Sequence, residues 1–196
     1  MEIDWTKSVQ QPVNFSETAI EAFVAAHGDE DICCVFYDSD PKHGYVMVGF
    51  DTPAANRSAM MKLQKVAHES RQLNLAADAW ESAKYFVTTP VLSTFNTNSA
   101  EFAYSEFAQI HFESWVTARL SPGYPQGTEL SDDYLDGNFR VIIWKAVEAL
   151  VAKNSFAPLK QAEIFVIGYS LHDQEESILY LQSNTKIRSE SGRGRD

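Results

Sequence analysis

The side chains best suited to chemistry are thinly spread along this chain. Its five histidines stand singly at His27, His43, His68, His111 and His172, and its two cysteines, Cys33 and Cys34, are adjacent. Without a His-Glu-x-x-His helix or spaced cysteine pairs, the pattern of a transition-metal site is missing. Neighbouring residues of an extended segment point to opposite faces, so the cysteines read as small strand hydrophobes rather than a disulfide or a shared metal site. His27 falls in the last turn of a helix, where the dipole favours its positive form, and His111 falls on an apolar face as a core histidine. The run Asp132-Asp-Tyr-Leu-Asp136-Gly137 resembles a calcium loop at first. Aligning Gly137 with the turn glycine, however, puts Tyr134 and Ile143 where oxygen ligands belong.

Nucleophilic catalysis has one local candidate, Ser170 with His172 and Asp173. No Gly-x-Ser-x-Gly turn exposes the serine, and strand spacing sets Ser170 and His172 side by side, so a polar strand end is the expectation. Nine scattered glycines form no phosphate-binding loop. Carboxylate pairs such as Asp38 with Asp40 read as solvated loop acids. No catalytic residue, cofactor or metal ligand is therefore assigned.

These residues must be positioned by a folded body. The chain has 196 residues, 44% of them apolar and 12% aromatic, enough for a core and inconsistent with general disorder. Its 27 Asp and Glu against 16 Lys and Arg give a net charge of −11. The last eleven residues carry +2, from Lys186, Arg188, Arg193 and Arg195 against Glu190 and Asp196, which leaves −13 on the first 185. Such a body repels phosphate backbones and anionic lipid and attracts basic proteins. The expected organisation is a single domain over 1–185 followed by a disordered charged tail, 186–196. The opening MEIDWTKSVQ lacks a signal-peptide pattern and no long apolar run follows, so a cytoplasmic location is expected.

Asn14 with Glu17 forms a capping-box pattern that predicts a first helix over 15–27, ended by Gly28. Two β-rich runs, Ile32 to Tyr37 and Tyr45 to Phe50, read as an antiparallel hairpin. Thr52 and Pro53 start a second helix, with Ala59, Met60, Leu63, Val66, Ala67, Ser70 and Leu73 on one side and Arg57, Lys65, His68 and Arg71 on a basic outer face. Past Asn74 the apolar face rotates. Asn98 with Glu101 and the spacing of Tyr104, Phe107, Ala108, His111, Phe112, Trp115 and Val116 read as a third helix, with a strand as the second reading. The loop 121–128 leads to a helix whose core face is Phe139, Ile142, Ile143, Ala146, Val147, Leu150 and Val151. Strands Glu163 to Tyr169 and Ser177 to Leu181 complete an α+β fold with an antiparallel or mixed sheet of about four or more strands, covered by helices on one face.

The stretches Ile32-Cys-Cys-Val-Phe-Tyr-Asp-Ser-Asp40 and Gly44-Tyr-Val-Met-Val-Gly-Phe-Asp-Thr-Pro53 resemble a bacterial family of small α+β proteins of unknown function associated with polymorphic toxin systems. So does the late helix followed by Glu163-Ile-Phe-Val-Ile-Gly-Tyr and Ser177-Ile-Leu-Tyr-Leu-Gln-Ser-Asn184. The resemblance spans about residues 15 to 184 and implies an immunity-type binding protein without assigned functional residues. It joins the charge in pointing to a non-enzymatic protein-binding module, of the kind of a bacterial immunity protein that neutralises a basic toxin. The alternative is a small hydrolase or ligand-binding enzyme whose pocket is assembled from distant residues. For the contact with a basic partner, the segment 124–136 is the expected surface. Tyr124 and Tyr134 would anchor it, and Asp132, Asp133 and Asp136 would supply charge.

Overall fold

The computed structural model describes residues 5–41, 44–77, 79, 98–112, 132–171 and 177–183. Within them the chain runs α1 (Trp5–His27), β1 (Ile32–Asp40), β2 (Tyr45–Asp51) and α2 (Pro53–Ala76). A short 3-10 turn (Ser99–Glu101) then precedes β3 (Tyr104–His111), α3 (Asp132–Ala152), β4 (Gln161–Leu171) and β5 (Ser177–Ser183). The sheet has the order β3-β2-β1-β4-β5. β1 pairs antiparallel with β2 and parallel with β4, and the two outer pairs are antiparallel, so the fold is α+β with a mixed five-stranded sheet.

One face of the sheet carries most of the core. Val35 and Tyr37 of β1, Val46, Val48 and Phe50 of β2, and Phe165, Ile167 and Tyr169 of β4 pack there against α1 and α3. Phe23 of α1 stacks on Phe50 with centroids 4.2 Å apart. The α3 face anticipated from spacing is in place: Phe139, Ile142, Ile143, Ala146, Val147 and Leu150 are buried, with Val151 half-buried at its end. Asn154, at φ 58°, turns the chain out of α3, and the Ser155 amide donates back to Leu150 O at 2.9 Å. On the opposite face Cys33, Cys34, Phe36 and Val166 form a smaller cluster with Phe102. Both cysteines join that one cluster, against the expected opposition. The β1–β4 register shifts between Ile32 and Cys34, so simple alternation does not hold at this end of β1.

The first helix begins ten residues earlier than its capping pattern indicates. Pro12 and Asn14 lie inside it, Asn14 Oδ1 accepting from Gln10 Nε2 at 2.6 Å. Val13, Ser16, Ile20 and Phe23 continue one buried face across the apparent start. The Glu17 carboxylate binds Lys153 Nζ and Ser155 Oγ, at 3.2 and 3.0 Å, and so ties α1 to the end of α3 instead of capping its own helix.

A second difference concerns 104–111, which form the edge strand β3 and not a helix. Asn98 caps only the 3-10 turn, its side chain accepting from the Ala100 amide at 3.2 Å. Tyr104, Phe107 and Ala108 all pack on the core at helix-like spacing because β3 is irregular. Its register against β2 shifts between Val48 and Phe50, and Glu106 sits at φ 49°. Opposite that shift, a Cβ on Gly49 would lie 3.2 Å from Tyr104 O, a tight contact that a larger residue could make only if β3 moved by a few tenths of an ångström. His111 is accordingly exposed on the edge, 2.7 Å from Gln109 Nε2, and is not a core histidine.

α2 starts as expected. Thr52 Oγ1 accepts from the Ala55 amide at 3.2 Å and Pro53 occupies the first turn. Its apolar side, however, is not a core face: of the seven residues on it only Ala59 is buried, and Leu63, Val66 and Leu73 are exposed, Leu73 to 71%. The loop 121–128, the residues after Ala79 up to 97 and the tail 186–196 lie outside the described residues.

Candidate protein-binding surface

α3 buries one side against the sheet and presents the other beyond it. Its helical period puts Arg140, Trp144, Lys145 and Glu148 away from the core, and all four are exposed. Trp144, the largest of them, is 49% exposed, and Lys145 Nζ lies 5.9 Å from its ring centroid. β5, at the sheet edge, runs beneath this side of the helix. Between them lies an open groove of about 340 Å³ lined by Trp144, Val147, Glu148, Leu179 and Tyr180, with Val151 and Ala152 at its end. A cavity of about 40 Å³ adjoins it on the other side of Val151 and Tyr180. The Tyr180 hydroxyl donates to Gln182 Oε1 at 3.1 Å. Glu148 makes no hydrogen bond or ion pair within the described residues. An apolar groove with an exposed tryptophan and one uncommitted carboxylate suits an apolar side chain next to a cationic one.

Asp132, Asp133, Tyr134 and Asp136 belong to the first turns of this same helix, and Tyr124 lies outside the described residues. The expected loop is thus shorter than 124–136. α3 starts at Asp132, seven residues before Phe139, where the apolar face expected from the sequence begins, and acids in a first turn are favoured by the helix dipole. The apolar periodicity that marks α3 in the sequence begins only at Phe139 and so does not mark this start. Gly137 is likewise helical, so the run from Asp132 is no ion-binding loop.

Ser170, Asp38 and Asp51 are committed to the fold. Ser170 Oγ donates to Asp38 Oδ1 at 3.2 Å and Ser99 Oγ to Asp38 Oδ2 at 3.3 Å, while His172 and Asp173 lie outside the described residues. Asp38 and Asp40 are strand residues, Asp40 being buried, and not solvated loop acids; β1 extends through both because β2 and β4 pair with it there. Asp51 is a second clamp. Its Oδ1 accepts from the Thr52 amide at 3.0 Å and the Ala103 amide at 3.1 Å, and its Oδ2 accepts from Asn56 Nδ2 at 2.8 Å. Burial raises its carboxyl above the ordinary value, with these three donors opposing.

The cysteines are buried free thiols. Burial, reinforced by the Asp51 charge, pushes Cys33 up to about 12, and burial also raises Cys34, so neither is a ready thiolate. Tyr37, raised by burial, donates to Ser16 Oγ at 2.9 Å, and Ser16 in turn donates to Pro12 O at 2.6 Å.

Two features escaped the reading of the sequence. One is the cluster where α1 meets β3: the Tyr104 hydroxyl donates to Glu30 Oε1, His27 Nδ1 lies 3.4 Å from the same oxygen, and the His27 and Tyr104 rings are 4.4 Å apart. The hydrogen bond to Glu30 raises the Tyr104 hydroxyl. Only the pairing of β2 with β3 brings Tyr104 to residues 27–30, so no local motif could signal it. The other is the groove itself, although Trp144 between buried positions 143 and 146 marked an aromatic residue off the core face.

Comparison of the chain with protein-family models, with curated proteins and with solved structures finds no match. Among the described residues no helix is long and apolar enough to cross a membrane.

Proposed function

We propose that this chain is a non-enzymatic protein-binding module for a basic partner, of the kind an immunity protein meets in a cationic toxin. The observation that carries the reading is the groove between α3 and β5, where the exposed Trp144 adjoins the uncommitted Glu148. Tryptophan supplies a large, stiff apolar contact, and the carboxylate selects a cation on the partner. The charge of −13 on residues 1–185 adds long-range attraction of the same sign. Asp132, Asp133 and Asp136, at the other end of α3, extend the acidic character along one element. The partner class is thus a protein with a basic, partly apolar contact surface, held without a cofactor.

The test places a photo-crosslinking phenylalanine analogue at position 144 and identifies the adducts by mass spectrometry from cells of the source organism. A basic protein should be captured. With that protein purified, association should slow as salt rises, because a Debye length of about 8 Å at physiological ionic strength screens the steering field. Changing Asp132, Asp133 and Asp136 together to Asn should slow association more than it speeds dissociation. An adduct with an acidic protein, or salt-independent association, would overturn the proposal.

A further inference from the structure

The two edges of the sheet are unlike. β3 is interrupted by a register shift, holds Glu106 at φ 49° and exposes Ser105, Glu106, Gln109 and His111. Such a bulged, charged edge is poorly matched to a further strand. β5, the sequence Ser-Ile-Leu-Tyr-Leu-Gln-Ser, carries no charge. Its register shift opposite Ile167 and Gly168 comes early, and from Tyr180 to Ser183 it pairs regularly with β4. Among the described residues nothing pairs with its outer side.

The groove is bounded by Leu179 and Tyr180 of β5 on one side and by α3 on the other. Tyr180 and Gln182 pair with Ile167 and Phe165, two core residues of the helix-covered face, so alternate residues of β5 face α3. A sixth strand added beside β5 would place its own alternate side chains beneath Trp144 and Glu148. Its other side chains would lie next to Leu181, which is 60% exposed on the opposite face. Resting on the protein-binding reading above, we infer that the partner docks as an extended segment that adds to β5 as a sixth strand. One inward side chain would be a Lys or Arg paired with Glu148, and its inward neighbour two residues away would be an apolar side chain seated between Trp144 and Leu179. Lys145 already lies near the tryptophan ring, so the carboxylate is the cation's partner. Main-chain hydrogen bonds supply affinity that is indifferent to sequence, and the two inward positions supply the selection.

The test uses the full chain and a capped octapeptide, Thr-Arg-Thr-Val-Thr-Arg-Thr-Val, with two analogues N-methylated at alternate amides along one edge or the other. Amide hydrogen exchange is read with each peptide at those amides of residues 179–182 that point away from β4. Strand addition predicts that the parent peptide slows exchange there, that only one of the methylated analogues loses binding, and that Glu148→Lys weakens the peptide by about tenfold or more. Equal binding of both analogues, or protection confined to α3, would overturn strand addition. Protection of the β5 edge before any peptide is added would assign that edge to the chain's own residues and overturn it too. The two readings fail separately. If the partner crosslinked at position 144 still loses affinity with Glu148→Lys while no peptide protects β5, the binding module stands and the sixth strand falls. If the partner is indifferent to Glu148→Lys, the groove itself is the wrong surface.

Discussion

α2 and α3 are similar in length, 24 and 21 residues, and both carry apolar residues at helical spacing, yet only α3 buries them. α3 fills its face with Phe139, Ile142, Ile143, Val147 and Leu150, five large side chains that meet the apolar face of a sheet. On its stripe α2 has Ala59 and Ser70 between Leu63, Val66 and Leu73, and its buried residues, Asn56 and Ala59, are both in its first two turns. α2 is held where it begins, by Asp51, Thr52 and Asn56; α3 is held along most of its length. A helical period therefore establishes a helix, while the size and continuity of the apolar residues decide whether it becomes core.

Substitutions can sharpen or break that contrast. Ile143→Ala should cost the most, on the order of 2–5 kcal/mol in urea unfolding, because it opens a cavity under α3. Thr52→Ala removes the α2 cap and should cost about 1 kcal/mol. Asp51→Asn tests the clamp by its pH dependence. A carboxyl raised in the folded state makes the native protein bind more protons than the unfolded chain, so wild-type stability carries a component that falls as pH rises from near the ordinary value of 3.8 through the raised one. Stability curves for both proteins should diverge over that window, with the Asn variant lacking this decline; parallel curves would remove Asp51 as its source. Val66→Ala and Leu73→Ala should change stability by less than about 0.5 kcal/mol, as exposed positions do. A cost near that of Ile143→Ala would mean that the α2 stripe is covered and the contrast is false.

Much of the fold was legible because it depends on short-range signals. The hairpin of β1 and β2, the Thr52 and Pro53 helix start, the buried face of α3 and the β4–β5 pair follow from residues close in sequence. The errors share a cause as well. Asn14 with Glu17, and Asn98 with Glu101, look like helix starts, but Glu17 binds residues 153 and 155, and the segment after residue 101 is drawn into the sheet by β2. Long-range partners overrode local grammar in both places. For the groove, the residue types were visible and their convergence was not, since Glu148 and Leu179 meet only once β4 and β5 have placed the edge under α3.

The parallel pairing of β1 with β4 bears on how the protein is made. Asp38 lies beside Ser170, and 120 residues separate the end of β1 from the start of β4. At roughly 5–20 residues per second, a ribosome needs about 6–24 s to cover that distance. Throughout that interval the most apolar strand of the nascent chain, Ile32 to Tyr37, has its β2 side satisfied and its β4 side open. Completion of the central ladder thus waits on the last quarter of the chain, and a stalled or truncated product would leave that strand's side available to chaperones or to another incomplete copy.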